Sequence, residues 1–378
     1  MEVYAAYYGA ITILFIILTK YRYRITLCSE TARKTALQRS QRQMALFMAA
    51  ATIGLVFIIG FRSDHQGSDL YNSLGTGYFF YYESINKDSL GEILRNFSSQ
   101  KYANFEIGFV LFCKLLGTVC GNHQILLLGC AALSIVPVGC FIAGCSRHRW
   151  LSMVLFMALP CFATVEFSAL RQGCAMGIAA LSYGFAKRKK PIRFIAGILL
   201  ASTFHSSAIV ALVVYPAYHA TVSRRSALFG GIGGLAAIYL TKETLFWILA
   251  KIVHNNPKLS RTDSVNMFLI LTVIYILCVY FSKDSDYGTR GYTNILWIAC
   301  AAQAFSGLHN LAGRITWYFM LVLVVLVPDL LENPNIKERH IARPLTWMVG
   351  ALAVMLGLYY LRNNQMACAY PYVPFWRA

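Results

Sequence analysis

Arg171, His205 and Arg314 each stand inside or at the lip of an apolar stretch: SALRQGCA (168–175), ASTFHSSA (201–208) and NLAGRITWYF (310–319). Where such stretches cross a bilayer, an ionisable group at the hydrocarbon edge is costly unless paired, so it marks a functional site by default. Arginine offers a planar fork of donors that grips phosphate bidentately and keeps its charge. Histidine and carboxylates can take a proton from an attacking hydroxyl. Upstream, Arg62, Asp69 and Glu106 add a third cation and two carboxylates. Together these groups suit an anionic ligand with a sugar or similar polar part, provided that they face one side of a membrane.

The elements that must position them are membrane helices. The chain of 378 residues is 57% hydrophobic and 13% charged, and its apolar segments recur almost end to end. Segments 44–61, 125–144, 265–282, 314–331 and 345–361 are long enough to cross most of a roughly 30 Å hydrocarbon core. Segment 4–19 is followed by charge and by no small-residue cleavage site, so it reads as a first span and not a removable signal peptide. The expected fold is all-α, a polytopic bundle of about ten to twelve spans forming a single transmembrane domain over 1–378.

The net charge of +18 does not point to nucleic acid. The basic residues gather in short connections: KYRYR (20–24), RKTALQRSQR (33–42), SRHR (146–149), KRKKPIR (187–193) and SRR (223–225). Short basic loops between spans mark the cytoplasmic face. The same loops can bind anionic lipid headgroups as a side effect. The eleven cysteines are scattered without C-x-x-C spacing, and the eight histidines are scattered too, so neither a disulfide framework nor a metal site is expected. No glycine-rich nucleotide loop is present; GGIGG at 230–234 lies within a span, where close helix packing explains it.

With 20–43 in the cytoplasm, segment 62–123 becomes a large external loop. Within it, 105–119 is apolar but short and carries Lys114, so it is expected to be a re-entrant or interfacial helix. From there 125–144 runs inward, 151–166 outward and 171–186 inward. Segment 194–219 keeps SRR inside only as two half-length helices meeting at His205. Ser206 or Ser207 would then cap the second half, with its positive end towards a cavity. Broken helices are tolerated at membrane depth where they line a cavity. The remaining spans are 226–241, 265–282, 292–308, 314–331 and 345–361. This topology puts Arg62, Asp69, Glu106, Arg171, His205, Arg314 and Tyr372 on one outer face.

Plainer readings stand beside this one. Arg62 and Arg314 can be headgroup anchors, Asp64 and His65 solvated loop residues, and Glu106 a residue that caps the 105–119 helix. His205 can be a satisfied core histidine, and Glu166 can be the structural ion-pair partner of Arg171. The aromatics at 78–82, Trp317, Tyr318 and 370–376 can stack on sugar rings or form an interfacial belt.

FRSDHQGSDLYN (61–72), NFEIGFVLF (104–112), ALRQGCA (169–175), FHSSA (204–208), RITWYF (314–319) and YPYVPFW (370–376) follow one another in an order that resembles the EpsG family of Wzy-like exopolysaccharide and capsule polymerases. The resemblance runs from about residue 55 to the C-terminus. The family pattern often has Pro after the Glu of the second motif, where this chain has Ile107. The resemblance implies a multi-pass protein of the bacterial inner membrane with a GT-C-like polymerase architecture. Its active face would be periplasmic, and it would need no cofactor or metal. The implied substrate is an undecaprenyl-diphosphate-linked oligosaccharide. Chain-length regulator and export proteins are implied partners, and nucleic acid is not.

In that chemistry Arg62, Arg171 and Arg314 would bind the substrate diphosphate, with the helix end at Ser206 assisting. Asp69, Glu106 and His205 are the candidate bases, a carboxylate being favoured over His205. Gln172, Ser206, Tyr318 and Tyr372 would support the site. The competing classes are a transporter of lipid-linked sugars and a ligase passing glycan to another acceptor. No self-similarity between the two halves supports the transporter.

Overall fold

Apolar runs fold here as helices, and Pro160 divides one of them. The structure, a computed structural model, describes residues 1–19, 30–71, 77–97, 102, 105–252, 265–282, 287–332 and 339–377. The helices α1 to α8 are Glu2–Thr19, Glu30–Gly60, Tyr78–Lys87, Leu90–Asn96, Ile107–Val119, His123–Cys145, Arg149–Ala158 and Phe162–Phe167. Helices α9 to α13 are Leu170–Lys187, Pro191–Ser202, Val214–His219, Gly231–Ile252 and Val265–Phe281. Helices α14 to α17 are Tyr287–Ala304, Asn310–Met320, Leu323–Leu331 and Arg339–Asn363. A 3-10 helix over Ser206–Val213 precedes α11. Among the described residues there is no β-sheet, only one isolated bridge between Arg62 and Pro374.

Among the described residues, five stretches are long and apolar enough to cross a membrane: Glu2–Thr19, Leu37–Gly60, His123–Cys145, Leu311–Leu331 and Ala342–Asn363. The protein is thus an all-α, multi-pass membrane bundle. Five is fewer than the ten to twelve spans expected, and for two of the expected spans, 151–166 and 171–186, the physical reason is visible. Pro160 separates α7 from α8, so neither part is long enough alone. Helix α9 has 14 of its 18 residues buried in protein, so lipid does not require it to be apolar, and it keeps Gln172 and Ser182. Its Gly177 lies against the Leu133 and Ser134 carbonyls of α6, where any side chain would collide with backbone.

Two ends of the bundle differ sharply. At the basic end, Lys187 Nζ donates to the Cys145 carbonyl at 3.0 Å and the Arg147 N–H donates to Asp329 Oδ1 at 2.8 Å. Arg224 donates to the Tyr280 carbonyl at the same end. At the opposite end lie Arg62, Glu106, Arg171, His205 and the first turn of α15.

The course of residues 191–219 is fixed by contacts at both of its ends. His219 Nε2 donates at 3.0 Å to the carbonyl of Ala186, so the chain returns to the level at which it left α9. Phe194 and Tyr215 meet across the two arms, with ring centroids 5.5 Å apart. The reversal occurs at Thr203–Ser206. The return arm differs from the expected half-length α-helix, being a 3-10 stretch followed by the short α11.

Helices α3, α4 and α5 form a layer over the site end. Lys114 of α5 donates to the carbonyls of Asn86 and Asp88, at 3.0 and 2.6 Å. The Tyr82 hydroxyl of α3 donates to the Cys120 carbonyl just beyond α5 at 2.9 Å. Helix α5 therefore begins just after Glu106 and ends against α3 within this same layer. The C-terminal segment closes the end of the bundle, with the Ser63 N–H on the Val373 carbonyl and Gln66 Nε2 on the Cys368 and Pro371 carbonyls.

Candidate active site

Glu106 precedes the first residue of α5, with extended backbone (φ −72°, ψ 148°), and spends none of its carboxylate on capping that helix. Its Oε2 lies 2.7 Å from Arg171 Nη1, in the first turn of α9. Its Oε1 accepts the Ser206 N–H at 2.8 Å and lies 3.3 Å from His205 Nδ1. The His205 contact is too bent to be a good hydrogen bond, yet close enough for the imidazole N–H to favour the ionised carboxylate. One carboxylate thus joins three elements that are far apart in sequence. The side chains of Glu106, Arg171 and His205 are 20%, 21% and 14% exposed, so a ligand can reach them while water screens them poorly.

Burial acts to raise the Glu106 carboxyl. The His205 imidazole, the Ser206 N–H and the Arg171 charge outweigh it and hold the group at about 2. Its folded value lies below the ordinary 4.5, so this network stabilises the fold above that value and ceases to do so as pH falls towards 2. In thermal unfolding of solubilised protein, the wild type should exceed Glu106→Gln in Tm at about pH 6. The gap should close on acidification from about 4.5 towards 2; a gap that does not change with pH would contradict this network.

Arg171 is seated as well as paired. Its guanidinium carbon stands 4.6 Å over the ring of Phe105, and its backbone N–H is 3.5 Å from the Tyr78 hydroxyl. Tyr78 stacks on Phe105 with centroids 5.5 Å apart and planes within 8°. Burial pushes the Tyr78 hydroxyl up to about 12 against the opposing pull of Arg171, so it stays neutral.

The turn at 203–206 reaches Glu106 because residue 108 is glycine. The Gly108 N–H donates to the Thr203 carbonyl at 2.8 Å, and a Cβ there would fall 2.2 Å from Thr203 Oγ1 and 2.8 Å from the Thr203 carbonyl oxygen. Gly108→Ala should therefore push the turn off Glu106 and cut chain growth about 10²-fold, as a displacement of roughly 1 Å can do. Wild-type glycan length in Gly108→Ala would show that this close approach is dispensable.

On the far side of Arg171, Gln172 Nε2 donates to the Arg314 carbonyl at 2.9 Å, joining the first turns of α9 and α15. The Arg314 guanidinium is half-buried, with no hydrogen-bond or ion-pair partner among the described residues. Ser207 Oγ is 3.5 Å from the hydroxyl of the buried Tyr318. His205 Nε2 and Gln172 Oε1 are buried without a hydrogen-bond partner, an arrangement that invites a ligand. Beside Glu106 opens a cleft of about 460 Å³ lined by Phe97, Tyr102, Phe105, Glu106, Ile107, Ser202 and Thr203.

The structure brings Glu106, Arg171, His205, Ser206, Gln172, Arg314 and Tyr318 together and places the other candidates at a remove. Arg62 is fully buried, with its nitrogens on the carbonyls of Ile59, Gln66 and Phe167 and its guanidinium 4.9 Å from the Phe167 ring centroid. Tyr372 donates to the Ile58 carbonyl at 3.0 Å and meets Tyr4 edge-on. Asp69 is half-buried and accepts from the Ser68 hydroxyl at 3.1 Å, while its carbonyl takes the Tyr78 N–H.

Two expectations are corrected. Glu166 is not the partner of Arg171: it accepts from the Ser134 hydroxyl at 2.7 Å, and Arg171 pairs with Glu106. No side chain at the turn caps the 3-10 helix, because the Glu106 carboxylate takes the Ser206 N–H from outside. Ile107 in place of Pro leaves the local backbone undisturbed, since it is the first helical residue, where proline and other residues share one conformation. Phe105 escaped the sequence reading, although its place next to Glu106 was a signal.

The geometry agrees with a comparison against families. A family model described as EpsG family matches residues 45–374. Comparison with curated proteins and with solved structures gave no match.

Proposed function

The chain belongs to the EpsG family, and from that premise we propose that it is a polysaccharide polymerase joining undecaprenyl-diphosphate-linked oligosaccharide repeat units. Membership of this family supports a polymerase or transferase role. The observation that carries the finer reading is the convergence of Arg171, His205 and the Ser206 N–H on Glu106, with Gln172 tying the Arg314 carbonyl to the same end of α9.

A carboxyl held at about 2 is ionised throughout the physiological range but is a weak base. Glu106 thus suits the role of orienting His205, and Nε2 of that ring, which has no hydrogen-bond partner, suits proton transfer once substrate binding uncovers it. This reverses the preference for a carboxylate base. The acceptor hydroxyl gives its proton to Nε2 while its oxygen bonds to the anomeric carbon of the donor sugar. The bond from that carbon to the diphosphate oxygen breaks, and the electron pair leaves with the lipid diphosphate. Arg171 and Arg314 stabilise the developing charge. Arg62 holds the 59–66 turn against α8 and supports the site from beneath, and Asp69 remains the second candidate base.

The reading extends to the setting. The bundle would have a GT-C-like arrangement in the bacterial inner membrane, with the Glu106 end periplasmic and the 62–123 layer exposed there. Chain-length regulator and export proteins would act on its product. Among the described residues, the basic stretches around Arg147, Lys187 and Arg224 lie at helix ends opposite the site, where they suit lipid headgroups and not nucleic acid. Ser223→Cys in a cysteine-free background should resist impermeant thiol reagents added from outside, and ready labelling would invert the orientation.

Deletion of the gene tests the function. A polymerase predicts loss of long chains with single repeat units still exported. Loss of all surface glycan with intracellular accumulation would mean a flippase, and normal chains left on the lipid carrier would mean a ligase.

A further inference from the structure

A second cleft, of about 330 Å³, opens at the same end of the bundle and is lined by Asp64, His65, Asn122, His123, Gln124 and Phe375. Its walls are built and not incidental. His123 stacks on the buried Phe79 with centroids 4.2 Å apart and planes within 13°, and its Nε2 lies 2.8 Å from Glu83 Oε1. Its Nδ1 is 3.4 Å from the Tyr71 hydroxyl, which donates to Asp64 Oδ2 at 3.1 Å. Phe375 is anchored by its N–H on the Phe61 carbonyl at 3.0 Å and by stacking on the Phe61 ring. Tyr71 and Phe375 nevertheless leave 49% and 41% of their surface exposed.

We propose that this cleft is a glycan subsite, holding sugar residues of the donor chain beyond the one bonded to diphosphate. The proposal rests on the polymerase reading and deepens it. The chemistry of the lining carries it. Carboxylate, amide and imidazole groups are planar and match pairs of neighbouring sugar hydroxyls, and exposed aromatic faces cover the C–H faces of sugar rings. The lining contains no Lys or Arg, and the carboxylates of Asp64 and Glu83 repel a diphosphate. It differs in this from the Arg171 and Arg314 site, so the two clefts select different parts of one molecule.

Position supports the assignment. Consecutive residues at the start of α3 face the two sites: Tyr78 packs on Phe105 beside Arg171, and Phe79 packs on His123. A chain with its first sugar at Glu106 and later sugars in the second cleft would run along this edge. The hydrogen-bonded series Asp64, Tyr71, His123 and Glu83 fixes the groups before a glycan arrives, which lowers the ordering cost of binding.

The test uses the full chain in lipid nanodiscs. The probes are soluble oligosaccharides of one and of three repeat units, released by mild acid from the polysaccharide of the same cells. The wild type is expected to bind the three-unit glycan about tenfold more tightly than the one-unit glycan. The isosteric Asp64→Asn and the surface variant Phe375→Ala should each lose most of that advantage. No length preference in the wild type, or an undiminished one in both variants, overturns the subsite. Failure of the polymerase reading is seen separately: if deletion of the gene leaves long chains intact while length-dependent binding persists and falls in the variants, the subsite stands and the polymerase assignment falls.

Discussion

Arg171→Ala is expected to stop chain growth at a single repeat unit, with the protein still present in the membrane at its normal level. Two losses combine in this variant. The diphosphate loses a charge-assisted donor, and removing one such donor from a reacting centre typically costs about 10²–10³ in rate. Glu106 also loses its 2.7 Å partner, which leaves a half-buried carboxylate held only by His205 and the Ser206 N–H. Arg171→Lys separates these effects. Lysine keeps the charge near Glu106 but cannot offer the planar fork, so the fold should be restored more fully than the activity. Glycan length is read by gel profile and protein level by immunoblot. A normal profile in Arg171→Ala would remove this residue from the mechanism.

The second large effect is expected at His205. His205→Ala should slow chain growth by about 10²–10⁴, the usual contribution of a positioned general base. Because alanine vacates the ring's space beside Glu106, added imidazole should restore part of the rate in membranes carrying this variant. It should not restore Arg171→Ala. Asp69 supplies the contrast, being half-buried and bonded to the Ser68 hydroxyl, whereas Glu106 bonds to Arg171 and the Ser206 N–H. If His205→Ala retains its rate and Asp69→Asn loses it, proton transfer belongs to Asp69 and His205 serves only to fix the turn.

Much of this was legible in the residues themselves. Loop charges favour a reversal of 194–219 at His205 over a single span, and the bond from His219 to the Ala186 carbonyl brings His219 back to the end of α9. Arg171 stood out because so long an uncharged run follows it. What could not be read was the partner. Glu166 is near in sequence and Glu106 is 65 positions away, yet α8 ends by turning Glu166 towards Ser134 of α6. Sequence distance carried no information about that turn. The fate of Arg62 was equally hidden: a cation after a span reads as a headgroup anchor or a ligand group, and only the fold brings three backbone carbonyls to it. The low value of the Glu106 carboxyl depends on three neighbours from two other elements, so the choice between carboxylate and imidazole as base had no basis before the fold was known.

The most direct test reconstitutes the purified chain in liposomes with an undecaprenyl-diphosphate-linked repeat unit as the sole substrate and resolves the products by size. The polymerase assignment predicts a ladder of lipid-linked chains, one free lipid diphosphate released for each new glycosidic bond, and no ladder with Arg171→Ala. Repeat units that remain single while moving across the bilayer would contradict it.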